Sequence, residues 1–335
     1  MKKEILDIAE MYVPQGITLK MVCTLLQISV HRVRRWQKRC GCLEDVKPGP
    51  VKAPHALLPQ EREAILRLAL DDEYVDCSHR VLAAKGADLD LFHASSSSVY
   101  KVMREDGLTA DRSGHCRRNG KSIAPERPEI DGPNQRWCWD ITYCYTMVKG
   151  TFLYLYTLLD EYSRKVISWR ISWHINHREA MELIQEGLEN EGLEDINVKL
   201  PDLINDRGVQ MKANAFMKMC ADTGIKQMFA RPRTPNDNPF IESLFSIVKG
   251  YPEYPERFVD DIEAITYFTG FFNFYNDYRY HGKIGFVTPN QRHTGQDKDI
   301  LERRKIGAMK ARQLRLDTNR KLVVSHDVDK QLVVA

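Results

Sequence analysis

Three acidic side chains stand where an acid is out of keeping with its neighbours. Asp140 sits inside the aromatic and β-branched run WCWDITYCY. A bare carboxylate there is costly to bury and needs a compensating partner. Asp206 follows the apolar stretch LPDLIN and precedes Arg207-Gly208, which puts it at the carboxyl end of a strand. Glu242 comes early in NPFIESLFSIVK, where Asn238 and Pro239 supply an N-cap and a first helical position. Any one of these alone reads as a solvated surface charge. Together they read as a site for hard cations, because Mg²⁺ takes oxygen ligands and keeps several waters. Two such ions roughly 4 Å apart serve both the attacking and the leaving oxygen of a phosphodiester. Clustered carboxylates repel one another until the metal arrives. Glu242 and Lys249 are seven residues apart, so on a helix they align within about 20°. An acid on metal and a cation on phosphate then share one face.

Other chemistries find less support. His174, His177 and His281 are available bases, but no H-E-x-x-H spacing accompanies them. His281, in NDYRYHGKIG, reads as a packing or DNA-contact residue. Tyr143 is no covalent nucleophile on this reading, because a metal site makes an enzyme–DNA link unnecessary. The aromatics of 267–280 read as a core helix and not as a stacking platform. Of eight cysteines only Cys40 and Cys42 lie close, as C-G-C and not C-x-x-C. Reduced thiols packed as small hydrophobes account for them better than a zinc site with His115 and Cys116.

The elements that must position the acids follow from periodicity. Residues 137–148 and 151–159 are strand-like runs separated by Lys149-Gly150, a hairpin signal. Residues 165–173 form a third strand. An amphipathic helix over 177–191 carries Ala180, Leu183, Ile184 and Leu188 on one side. Short strands at 200–205 and 225–230 flank a helix at 212–223, and a last helix runs from 239 to 249. Three strands followed by helix, strand, helix, strand and helix is the order of a ribonuclease H-like α/β fold. This predicts a mixed five-stranded sheet with flanking helices.

Upstream the pattern is helical. Leu19, Val22, Cys23 and Leu26 precede a break at Gln27-Ile28. Ser29 then caps a helix with Val30, Val33 and Trp36 inside and His31, Arg32, Arg34, Arg35 and Lys38 outside. A short helix, a turn and a basic helix form a helix-turn-helix pattern. A second helical unit follows at 59–70, 78–85 and 99–105, with the serines at 95–98 as caps.

Net charge is +3 overall but uneven: nine basic against five acidic residues over 1–50, five against eight over 51–100, and ten against six over 296–335. Basic segments thus flank a mildly acidic middle, as a polyanion-gripping chain with a metal centre requires. The organisation predicted is a helix-turn-helix domain at 1–46, a linker at 47–58 and a second helical DNA-binding module at 59–110. A basic linker with Arg117 and Arg118 at 111–133, a catalytic core at 134–295 and a basic tail at 296–335 complete it. No apolar run approaches the roughly 18 residues of a membrane span, so no membrane partner is expected, and the acidic N-terminus lacks a signal peptide's apolar stretch. A cytoplasmic, nucleoid-associated location is the expectation.

The runs WCWDIT, LLDEYSRKVISW, NDRGVQ and RPRTPNDNPFIESLFSIVK resemble the integrase core of bacterial insertion-sequence transposases of the copy-out, paste-in group. Thirty-five residues lie between Asp206 and Glu242, which resembles the DDE spacing shared with retroviral integrases. NDRGVQ departs from the family's usual serines around Asp-x-Gly, and the histidine–cysteine zinc module of retroviral integrases is absent. The resemblance implies that Asp140, Asp206 and Glu242 are the catalytic and metal-binding triad for two Mg²⁺ or Mn²⁺ ions. It implies that Lys249 touches DNA near the scissile phosphate. It further implies cleavage and strand transfer at terminal inverted repeats, double-stranded DNA (insertion-sequence ends and target) as partner, and a homo-oligomer, at least a dimer, on that DNA. A hydrolytic nuclease of the same fold and a non-catalytic DNA-binding regulator are the alternatives.

Overall fold

Five strands form one mixed sheet: β1 (Arg136–Tyr145), β2 (Phe152–Asp160), β3 (Val166–Ser172), β4 (Asp202–Asn205) and β5 (Gln227–Phe229), in the order β3-β2-β1-β4-β5. The structure is a computed structural model and describes residues 2–38, 53–109, 128–195, 198–205, 214–229 and 238–332. β1 and β2 pair antiparallel, as do β2 and β3, whereas β4 runs parallel to both β1 and β5. Parallel neighbours need crossovers. Helices α7 (His177–Asn190) and α8 (Asn214–Thr223) supply them, and every strand lies within two or three residues of its sequence-based range.

Both faces of the sheet are covered, which is why its strands read as near-continuous apolar runs. On one face Trp137, Trp139, Tyr156, Leu158 and Leu203 pack with Leu183 of α7 and Phe216 of α8. Gly187 lets α7 come this close: a Cβ there would stand 2.5 Å from Leu158 Cδ2. On the other face Cys138, Cys144, Leu155 and Ile204 pack under α9 (Pro239–Lys249) and α10 (Asp261–Asp277). The aromatics of α10, Phe268, Phe271, Phe272 and Tyr275, are buried there. This strand order with helices on both faces is a ribonuclease H-like fold.

The chain divides into two compact units, 1–56 and 57–335. In the first, α1 (Lys2–Tyr12), α2 (Leu19–Leu25) and α3 (Val30–Gln37) enclose Ile5, Cys23, Val33 and Trp36. The Thr18 hydroxyl caps α2 by accepting from Met21 N at 3.3 Å. Gln27 turns the chain into α3 with φ +53°.

The second unit begins with α4 (Pro59–Ala69), α5 (His79–Asp88) and α6 (Ser96–Glu105), packed around Ile65, Leu82, Phe92 and Val99. Ser95 caps α6 by accepting from Ser98 N at 3.1 Å. The segment read from sequence as a tail is a single helix, α12 (Asp297–Leu332), which follows the short α11 (Pro289–His293). At 1.5 Å per residue its 36 residues reach roughly 54 Å. It lies against α4–α6 through two arginines. Arg304 donates to both Asp88 oxygens at 2.6 and 2.7 Å, and Tyr280 also donates to Asp88. Arg315 grips Glu61 and donates to His93 O. Among the described residues no helix is long and apolar enough to cross a membrane.

Candidate active site

Asp140 stands in the middle of the central strand. Cys138 and Cys144 enter the core under α9 and α10, so strand alternation puts Asp140 on that same face. It is half-buried, and its Oδ1 accepts from Ile141 N at 2.8 Å. Directly opposite on β2 is Thr157, which is fully buried and whose hydroxyl has no hydrogen-bond partner.

Helix α9 lies over this face by burying Ile241, Leu244 and Val248, while Glu242 and Lys249 stay on its exposed side. The sequence predicts Asn238 as a side-chain cap of α9. The residue does hold the cap position, but its side chain makes no cap bond. Its Nδ2 instead donates to Trp139 O at 3.4 Å. The amide thereby ties the start of the Glu242 helix to the peptide immediately before Asp140. Asn238 Oδ1 is buried without a partner.

Asp206 lies outside the described residues. The strand that leads to it is described: in the parallel β1–β4 pair Ile204 stands beside Cys138. Asp140 is two residues beyond Cys138, and Asp206 is two beyond Ile204 in sequence. Among the described residues no three His, Cys, Asp or Glu side chains gather as a metal site. The donors that are described, two carboxylates with an orphaned hydroxyl and amide oxygen nearby on the same strands and helix, are of the all-oxygen kind that suits a hard divalent cation.

The remaining expected contacts divide. His31, Arg32, Arg34, Arg35 and Lys38 are all exposed, whereas Val33 and Trp36 between them are buried. Arg117 and Arg118 lie outside the described residues. Lys249 Nζ stands 4.6 Å from the centroid of the Tyr143 ring. His281 is a packing residue: burial lowers its pKa to about 4, aided by Arg279 and Arg164, and its ring meets Tyr275 edge-on.

One buried network was not legible in the sequence. The Ser163 hydroxyl donates to Asp160 Oδ2 at 2.7 Å and meets His293 Nδ1 at 2.9 Å, while His293 Nε2 meets Glu191 Oε2 at 2.7 Å. Serine, histidine and glutamate in a row resemble a nucleophilic triad. Here, however, the serine is fully buried and its proton is committed to Asp160. With that proton so placed, both imidazole nitrogens act as donors, which is the cationic form. Burial opposes that charge, but the Asp160 and Glu191 carboxylates outweigh it and raise the His293 pKa. For Glu191, burial is likewise outweighed by donors from His293, Asn134 and Lys165, which hold it down to about 2. The network pins α11 to the β2–β3 turn and the end of α7.

Similarity to known proteins agrees with this geometry. Residues 131–235 match the integrase core domain. That span runs from the entry to β1 through β5 and includes Asp140 and Asp206. The integrase core is accompanied by similarity to bacterial insertion-sequence transposases. The chain is 25% identical over 183 residues to a putative transposase for insertion sequence element IS986/IS6110 of Mycobacterium tuberculosis, covering 50% of this chain and 65% of that one. It is 29% identical over 207 residues to transposase InsF for insertion sequence IS3A of Escherichia coli, covering 58% and 69%. The match thus spans about two thirds of the length of these relatives. Among solved structures, the HTLV-2 integrase catalytic core domain in complex with magnesium is similar at 18% identity and a TM-score of 0.37, covering 48% of this chain and 97% of that one.

Proposed function

We propose that this chain is a DNA transposase that cleaves the ends of an insertion sequence and joins the resulting 3′-hydroxyl to target DNA. The observation that carries the reading is the convergence around Asp140. Its strand is paired in parallel with the strand that ends at Asn205, and the Glu242 helix is tied by Asn238 to Trp139. These connections, of the strand that precedes Asp206 in sequence and of the helix that carries Glu242, support the reading.

In this mechanism Asp140, Asp206 and Glu242 hold two Mg²⁺ or Mn²⁺ ions. When bound, such ions polarise the phosphodiester and activate the attacking oxygen. The protein's part is orientation. Asp140 is set by its strand and by the Ile141 N–H, and Glu242 is set by a helix whose apolar stripe locks its rotation. Lys249, about two helical turns beyond Glu242, supplies a cation for the DNA backbone. The exposed face of α3, with His31, Arg32, Arg34, Arg35 and Lys38, serves as the recognition helix of a helix-turn-helix module on the terminal repeats. Arg117 and Arg118 add backbone contacts. Two ends must be held together, so the active form on double-stranded DNA is an oligomer, at least a dimer. The protein acts in the cytoplasm, at the nucleoid.

The test uses Asp206→Asn, which keeps side-chain volume and removes the charge. It should abolish Mg²⁺-dependent cleavage and strand transfer of end-sequence DNA while leaving end binding intact. A variant that still cleaves removes Asp206 from the site. A wild type that cuts but never joins a pre-cut end makes the protein a hydrolytic nuclease, and one that binds its ends but never cuts makes it a regulator.

A further inference from the structure

Beyond Asp140, β1 ends in a feature that neither the proposed triad nor the basic helix explains. Tyr143 and Tyr145 are 49% and 48% exposed, although Trp137, Trp139 and Cys144 of the same strand are fully buried. Large aromatic rings on a central strand normally serve the core. Here two of them line an open cleft of 430 Å³ together with Lys249, Tyr254, Glu256 and Arg257. Phe152 braces both rings at 5.7 Å, and the two tyrosines stand 5.6 Å apart, nearly perpendicular.

Cations are held beside these rings. Lys249 Nζ lies 4.6 Å from the Tyr143 centroid, and the Arg257 guanidinium lies 5.9 Å from that of Tyr145. Arg257 is anchored there by donating to Thr146 O at 2.8 Å. The lining carries two cations against the single acid Glu256. Aromatic rings interleaved with cations bind single-stranded nucleic acid: bases stack on the rings and phosphates meet the charges. The volume is within the small-ligand range of roughly 300–1,000 Å³, which suits a nucleotide and not a duplex.

Strand alternation puts Tyr143 and Tyr145 on the opposite face of β1 from Asp140, but Lys249, on the helix that carries Glu242, stands against the Tyr143 ring and so links the cleft to that helix.

We propose that this cleft is a subsite for an unpaired base of the DNA strand being processed, stacked on Tyr145 with its phosphates on Lys249 and Arg257. The inference rests on the proposed transposase function and names a substrate feature that the function alone does not require: local melting of the DNA end.

The experiment needs neither metal nor cleavage, so its failure is distinct from failure of the transposase reading. Full-length protein in EDTA is titrated with an eight-nucleotide oligothymidine carrying one 2-aminopurine, whose fluorescence is quenched on stacking. Wild type should quench it. Tyr145→Ala should weaken this quench-detected binding about tenfold, in line with the roughly 1–3 kcal/mol per base of aromatic stacking. Tyr145→Phe should bind as wild type, because the ring and not the hydroxyl is needed. Equal quenching by wild type and Tyr145→Ala, or equal loss in Tyr145→Ala and Tyr145→Phe, overturns the proposal. Thermal melting of each variant confirms that the fold is retained. An exposed side chain predicts that it is.

Discussion

Arg315 and Glu61 are 254 residues apart in sequence and meet in a two-pronged ion pair, with Arg315 Nε on Glu61 Oε2 at 2.8 Å and Nη2 on Oε1 at 2.7 Å. Glu61 also accepts from Leu58 N at 2.9 Å and so satisfies the backbone N–H at the N-cap of α4. One carboxylate therefore starts the helical module and fastens it to α12. Arg304 and Asp88 repeat the arrangement some three turns earlier on α12. The helical module and the rest of the second unit are thus joined through a helix that carries no acid of the proposed triad.

This fastening makes Glu61→Gln a stability variant. The arginine would remain nearly buried, at 9% exposure, without its counter-charge. Removing one partner of a buried pair costs roughly 3–5 kcal/mol, and the lower end applies because His93 O still accepts from Arg315. Urea unfolding of the full-length protein should show a loss of about 3 kcal/mol. A loss below about 1 kcal/mol would class the pair with ordinary surface bridges.

The His293 network predicts a pH dependence with a definite sign. A histidine whose folded pKa is raised stabilises the fold fully below its unfolded value, here the ordinary 6.5. That stabilisation is lost as pH rises through the higher folded value. Glu191 has the opposite sign: its contribution is present above the ordinary 4.5 and lost as pH falls towards about 2. Between pH 4.5 and 6.5 both contributions hold. Melting temperature should therefore fall from pH 6.5 upward in wild type and fall less in His293→Gln. Parallel pH profiles for the two proteins would show that His293 does not carry the charge.

Asn238 is expected to act on the site through position alone. Asn238→Ala removes the amide that reaches Trp139 O at 3.4 Å, while Ile241, Leu244 and Val248 still seat α9. The fold should survive, and Glu242 should be less well placed. A displacement of about 1 Å can cost up to 10²-fold in rate, so end cleavage should drop roughly 10- to 100-fold with end binding unchanged. The requirement for Mg²⁺ should also rise, which a purely structural role would not produce. Unchanged cleavage at limiting Mg²⁺ would dismiss the tether.

Much of this was legible in the amino-acid order because the signals are local. Strand runs buried on both faces give continuous apolar stretches, and helix α7 shows a clean stripe ended by Gly192, so their ranges could be read within a few residues. Asp140 drew notice for the same reason, as a charge set among buried aromatics. Helix α12 was read as a tail because it is fastened by Arg304 and Arg315 and passes His93 at Gly307, where a Cβ would strike the ring. Charged and small residues leave no apolar period to detect.

The strands of the sheet, helices α7 to α9, the acidic positions and the basic face of α3 could all be read from the amino-acid order, since each depends on neighbours a few residues away. Folding in three dimensions was needed to show that β4 lies parallel to β1, that Asn238 turns from its own helix to Trp139, and that Tyr143 and Tyr145 meet Lys249 and Arg257 in one cleft. Those relations join residues about 65 to 110 positions apart. They arise from how the two faces of the sheet are covered, and strand periodicity alone carries no record of which helix covers which face.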